Sequence, residues 1–337
     1  MTVPLGGLPL ADHAAAYAAL RRAGFTDAWS SEVNGADAFT PLALAAAWQP
    51  GLRLGTAIAP AFTRGPGLLA MSAAALAEAA PGRFALGIGA SSPVVVGDWN
   101  AVAFDEPFRR TRDVLRFLRA ALAGQTVDGA YDTFAVRRFT LERPPAVPPP
   151  LLLAALRPGM LRLAALRPGM LRLAAAEADG VILNWLAADD VPTAVAELGG
   201  RPDGFEVVAR IFVCPTSDAG HARALGRRLI TTYLTVPAYA AFHRWLGRAE
   251  ILDPVWRAWA AGDRRGAAAA VPDEVVDALV LHGSPEQCRD QVRRYADAGV
   301  DVPVLALLPT PELAAGGPAA LTDLIARLGP AGGEGPA

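Results

Sequence analysis

The chain has 337 residues, 53% of them hydrophobic, with 31 basic and 33 acidic side chains and a formal net charge of −2. These charges are interspersed, so no basic stripe is available for nucleic acid or an anionic membrane, and neither partner is expected. Every basic residue is an arginine, which excludes Schiff-base and pyridoxal lysine chemistry and a Walker-type phosphate loop.

Cys214 and Cys288 form no CxxC or metal-type cluster and are read as reduced thiols, with a cytoplasmic location as the default. Met1 to Leu10 lacks a basic region followed by an apolar core, and no apolar run reaches spanning length. His13, His221, His243 and His282 are scattered without metal spacing, so no metal site is expected. No serine is paired with a convincing base.

Along the chain, short aliphatic runs alternate with longer Ala/Leu/Arg segments of helical period, the pattern of parallel βα units. Predicted strands are Thr2–Leu5, Asp27–Ser31, Leu52–Ala59, Phe84–Gly89, Leu151–Ala155, Gly180–Asn184, Glu206–Cys214 and Val302–Leu308, with a shorter run at Ala278–Leu281. Predicted helices include Asp12–Ala23, Gly67–Ala80, Phe108–Ala123, Ala219–Tyr233 and Pro285–Ala298, each with apolar residues at three- and four-residue spacing. Gly24, Gly82 and Gly299 follow helices and precede strands, where a left-handed cap favours glycine. The expected fold is α/β: a single (β/α)8 TIM barrel over residues 1–328.

Two segments exceed a bare barrel. Residues 126–139 read as a hairpin turning at Asp128-Gly129, and residues 235–272 form a long insertion rich in tryptophan and proline. The Gly/Pro/Glu-rich tail, residues 329–337, is expected to be disordered. A direct repeat, LRPGMLRLAA, occupies 156–165 and 166–175. With strand five before the first copy, Pro168-Gly169 interrupts the next helix, predicting a break near Ala165–Arg167 and a restart near Pro168. The other register would put Arg162 in a strand covered on both faces, and is disfavoured.

In such a barrel the active site lies at the C-terminal strand ends. Small and polar residues collect there: Trp29 to Gly35, Gly55 to Pro60 leading to Thr63-Arg64-Gly65-Pro66, Gly87 to Ser92, and Asn184-Trp185-Leu186. The stretches WSSE, LGTAIAPAFTRGP, APGRFALGIGASS, LLLAALRPGMLRLAAAEADGVILNWL and LHGSPEQC, in this order and spacing, resemble the luciferase-like monooxygenase superfamily, above all its coenzyme F420-dependent branch.

The resemblance implies an oxidoreductase in which a deazaflavin (F420), or alternatively FMN, lies across the barrel mouth and exchanges a hydride with a stacked small organic substrate. It places a non-prolyl cis peptide at Ala57-Ile58, propping the ring. Phosphate contacts would come from backbone amides of Ala154, Ala155 and Leu156 and of Gly89, Ala90 and Ser91, where small residues let an anion approach. Arg157 either adds a direct charge or is solvated. Glu32 matches a position where relatives carry an aspartate before a catalytic histidine, but Val33 follows here. Glu32 then either hydrogen-bonds the deazaflavin or acts as an acid, or is a salt-bridged structural carboxylate. Ser92 stands where sugar-phosphate dehydrogenases of the family have an acidic proton donor, so that activity is not expected. Asn184 is taken as the second catalytic candidate, orienting a polar group, and Trp185 either walls the ring pocket or packs in the core. Besides a deazaflavin hydride transferase, an FMN-dependent two-component monooxygenase and a non-catalytic flavin-binding barrel remain open. A homodimer is expected by analogy.

Overall fold

The computed structural model describes residues 1–155 and 169–330. Eight strands form the barrel: Thr2–Val3, Asp27–Ser30, Arg53–Thr56, Phe84–Gly89, Leu151–Ala154, Gly180–Asn184, Glu206–Cys214 and Val302–Leu307. Each pairs in parallel with the next in chain order, and the eighth packs against the first, bringing the sheet round on itself. Strands buried on both faces need near-continuous apolar runs, as in Phe84–Gly89, where every residue is buried.

The interior is filled in layers. Lowest, at the N-terminal end, Arg53 bonds Glu206 through both guanidinium arms at 2.6 and 2.5 Å and reaches Asp27 at 3.4 Å. Above them Trp29, Ala85, Leu152, Ile182, Val208 and Val304 form a closed apolar layer. Trp29 is wholly buried and lies so close to Gly55 that a Cβ there would stand 2.3 Å from its ring. The glycine therefore makes room for the indole that fills the barrel's waist.

Helices cover the outside. Pro107–Leu122 buries Val114, Leu115, Phe117, Leu118, Ala121 and Leu122 on one face, and each fully buried Leu or Phe contributes about 1.5–3 kcal/mol. Pro285–Asp297 starts at a capping box in which the Gln287 amide donates to Ser284 Oγ and the Ser284 amide to Gln287 Oε1. Gly24, Gly82 and Gly299 all have positive φ, as their cap positions require. Helices Thr40–Trp48 and Pro311–Leu328 join those delimited from the sequence. In the 235–272 insertion, helices Pro237–Trp245, Ala249–Ala260 and Arg264–Ala269 roof a second apolar cluster containing Trp185, Phe212 and Cys214. Cys214 and Cys288 are free and buried. No helix among the described residues is long and apolar enough to cross a membrane.

Several expectations need correction. Strand three ends at Thr56 and resumes as Ala59–Pro60 beside strand four, rather than running unbroken from Leu52. The run at Ala278–Leu281 is split, a helix holding Asp273–Leu279 and the strand only Val280–His282. The 126–139 hairpin exists, but Asp128-Gly129 lie within its first strand. The chain turns at Tyr131–Phe134 instead, closed by the Tyr131 amide on Phe134 O at 2.7 Å. Side-chain anchoring selects that turn. Tyr131 and Phe134 stack at 4.7 Å, both meet Phe117 edge-on, and buried Asp113 accepts from the Thr133 amide and hydroxyl.

Strand five precedes the first repeat copy, as the favoured register requires. The second copy supplies most of helix Met170–Glu177, with Leu171, Leu173 and Ala174 buried and Arg172 bonded to Glu197 outside. The helix break expected near Ala165–Arg167, Leu156 and Arg157, and residues 331–337 of the tail lie outside the described residues.

Candidate active site

At the C-terminal end of the barrel the inward side chains of strands three to seven stop being closely packed. Ala57, Ile58, Ala90, Ala154, Asn184 and Arg210 are only half-buried although they face the axis or its rim. Gly89 joins them: a Cβ on it would stand 2.9 Å from the Ala154 side chain and 3.4 Å from that of Ile58. The ends of strands three, four and five thus form one continuous surface of small residues. The Ala57–Ile58 peptide is cis, at the position the family resemblance indicated.

The expected phosphate cradle is only partly available. The Ala155 amide donates to Ile182 O at 3.1 Å, because strand five remains paired with strand six one residue past its formal end. That donor is spent, and the expectation for Ala155 is corrected accordingly. The amides of Ala90 and Ser91 donate to no other described residue, and Ser91 adopts a left-handed conformation at φ 65. These two groups can still meet an anion.

Glu32 occupies an adjoining cleft of about 350 Å³, lined in part by Asn34, Asp37, Thr63, Arg64 and Asn100. Its carboxylate accepts from Arg64 at 2.8 Å, the Thr63 hydroxyl at 3.1 Å and the Ala38 amide at 3.0 Å. Its own amide donates to Ile58 O at 3.2 Å. Of the three roles left open for Glu32, the geometry is that of the salt-bridged carboxylate, tying the loop after strand two to the segment after strand three.

Across the mouth, Asn184 lies in register with Arg210 of strand seven. Asn184 Nδ2 donates to the Tyr239 hydroxyl at 3.0 Å, and burial pushes the Tyr239 hydroxyl up to about 12, partly offset by that bond. Phe212 carries the Arg210 guanidinium 4.9 Å from its ring centre and Trp185 stacked at 4.0 Å. Trp185 is 1% exposed and also packs on Tyr233, so it backs the aromatic wall instead of presenting an open face. His282 is turned away, bonded to Asp277.

Arg210, Phe212, Tyr233 and Tyr239 were missed by the sequence analysis. The available signal was Arg210 itself, a lone charge in the buried run EVVARIFVC. Tyr239 comes from the insertion, whose path over the barrel no local pattern reveals, and Tyr233 from the last turn of helix Ala219–Leu234.

The model of the family described as luciferase-like monooxygenase matches residues 3–302. The chain belongs to this family. Among its relatives is a Mycobacterium tuberculosis protein named "Putative coenzyme F420-dependent oxidoreductase", 28% identical over 89% of this chain and 92% of that one. A 5,10-methylenetetrahydromethanopterin reductase of Archaeoglobus fulgidus is 23% identical over 82% and 83%. Among solved structures, the coenzyme F420 dependent tetrahydromethanopterin reductase from Methanopyrus kandleri superposes with a TM-score of 0.76 at 20% identity, covering 98% of this chain and 96% of that one. An FMN-bound oxygenating constituent of 3,6-diketocamphane monooxygenase from Pseudomonas putida gives 0.60 at 16% identity, over 98% and 95%. At these identities the structural likenesses establish the luciferase-like barrel and nothing finer.

Proposed function

We propose that the chain is an oxidoreductase that transfers a hydride between a deazaflavin of the F420 type and a small organic substrate at the C-terminal mouth of the barrel. The observation that carries this reading is the surface of small and aliphatic residues formed by Ala57, Ile58, Gly89, Ala90 and Ala154, which spans the ends of strands three to five and is poor in acid–base groups. Glu32, the nearest carboxylate, is engaged by Arg64, so the site's chemistry is best supplied by a bound cofactor. A deazaflavin, when bound, supplies a carbon centre that accepts or donates the hydride. The protein's part is to hold and orient: Ala90 and Ser91 amides fit an anionic group of the cofactor, Ile58 and Gly89 support a ring face, and Asn184 directs a polar group from the opposite wall. The Glu32–Arg64 pair fixes the loop flanking the mouth.

Titration of the purified protein separately with F420 and FMN, followed by fluorescence, tests the reading. F420 is expected to bind at micromolar concentration, and its reduced form to be oxidised by substrate without oxygen uptake. Rapid oxygen uptake with reduced FMN would instead assign a monooxygenase, and tight binding without any turnover a storage barrel. Failure of both cofactors to bind would remove the proposal.

A further inference from the structure

Arg210 is a charge on the inner face of strand seven, in register with Asn184. Its Nε is shut from solvent with no hydrogen-bond partner among the described residues. The ionisable groups that act on it are the phenols of Tyr233 and Tyr239, with no carboxylate among them, and burial draws the guanidinium down from its ordinary value. By contrast Arg53, equally inside the barrel, is held by Glu206 and Asp27. A partly buried cation that has tyrosine hydroxyls beside it and no carboxylate still lacks a counter-ion, which is costly where water is excluded.

Its neighbours are also incompletely satisfied. Asn184, beside Arg210 in the strand register, has Oδ1 buried without a partner while Nδ2 serves Tyr239. An amide is nearly symmetric in shape, so a half-turn lets the Tyr239 hydroxyl donate to Oδ1 and releases the Nδ2 hydrogens. With an anion beside Arg210, that orientation is the favoured one.

We propose that Arg210 and Asn184 form an anion-recognition subsite on the strand six and seven side of the mouth, which takes the carboxylate of an organic-acid substrate. This rests on the proposed function for the identity of the site but not for the anion chemistry. The guanidinium offers paired donors to the two carboxylate oxygens, Asn184 a third, and the Phe212 and Tyr233 rings shield the pair from water. The substrate's reacting carbon is thereby held beside the surface of strands three to five, where the cofactor ring is proposed to lie.

The test uses the full chain, with and without F420, in thermal-shift titrations with acetate, crotonate and phenylacetate, each against its neutral amide. At least one carboxylate is expected to raise the melting temperature saturably, by several degrees, while its amide does not. Arg210→Met is expected to abolish that shift with the F420 dissociation constant changed less than about threefold, and Arg210→Lys to retain a weaker shift. A shift that survives in Arg210→Met, or no carboxylate shift with or without F420, overturns the subsite. Loss of F420 binding in Arg210→Met, at least tenfold, also overturns it, by assigning the charge to the cofactor. Should Arg210→Met not fold, the acid-against-amide comparison and Arg210→Lys decide. A carboxylate shift in a protein that binds neither F420 nor FMN would sustain the subsite and sink only the cofactor reading.

Discussion

Arg53 and Glu206 meet across the floor of the barrel, joining strands three and seven, which are far apart in the sheet, through two contacts at 2.6 and 2.5 Å. Burial works against the Arg53 charge, and the bond and attraction to Glu206, with Asp27 behind, more than restore it. Replacing only one partner strands the other, so Glu206→Gln is expected to destabilise the fold by about 1–3 kcal/mol, at the lower end because both side chains keep some solvent contact. The double change Arg53→Met, Glu206→Leu should recover most of that loss. Denaturant midpoints of the single and double variants measure the coupling directly.

A second prediction concerns the waist. Thr56 Oγ1 donates to Gly87 O at 2.7 Å and accepts from the Gly87 amide at 2.9 Å, locking strands three and four edge to edge. A Cβ on Gly87 would lie 2.0 Å from Thr56 O and 2.3 Å from Ile182 Cδ1. Gly87→Ala should therefore cost about 3 kcal/mol or more. Adding Ile182→Val relieves only the side-chain clash, so a full rescue by that second change in a melting experiment would contradict the backbone argument.

His243 gives a pH dependence with a definite sign. It is fully buried with neither ring nitrogen hydrogen-bonded to a described side chain, and burial, then Arg248, depresses it from 6.5 to about 3, against a raising contribution from the Trp185 backbone. Between those values the unfolded chain binds a proton that the folded chain refuses. The stability this confers is complete above 6.5 and is lost as pH falls towards 3, at up to about 1.4 kcal/mol per pH unit. Urea midpoints taken over that window should fall less steeply in His243→Leu than in the parent. Parallel slopes would dismiss His243 as the source.

For Glu32, the bonds to Arg64, Thr63 and Ala38 imply an organising role. Glu32→Gln should lower stability by about 1 kcal/mol and alter F420 affinity only a few-fold, with turnover at saturating cofactor largely retained. A loss of turnover above roughly a hundredfold, with cofactor binding intact, would return Glu32 to the role of proton donor.

The barrel strands were legible because a sheet covered on both faces demands apolar runs bounded by cap glycines, and Phe84–Gly89, Gly180–Asn184 and Glu206–Cys214 have the bounds expected of them. What was illegible depended on contacts between distant segments. The hairpin turn follows Phe117 and Asp113 rather than the local Asp128-Gly129 signal. The Ala155 amide is consumed by a carbonyl of the next strand. Arg210 could have been found by the rule that argued against a strand through Arg162: a charge in a doubly covered strand needs a reason.

Trp29 and the ion pair beneath it have one more implication. With the lower end stoppered, traffic through the barrel is limited to a single doorway. A molecule can therefore reach the C-terminal strand ends from that side alone, and the closed floor serves rigidity rather than passage.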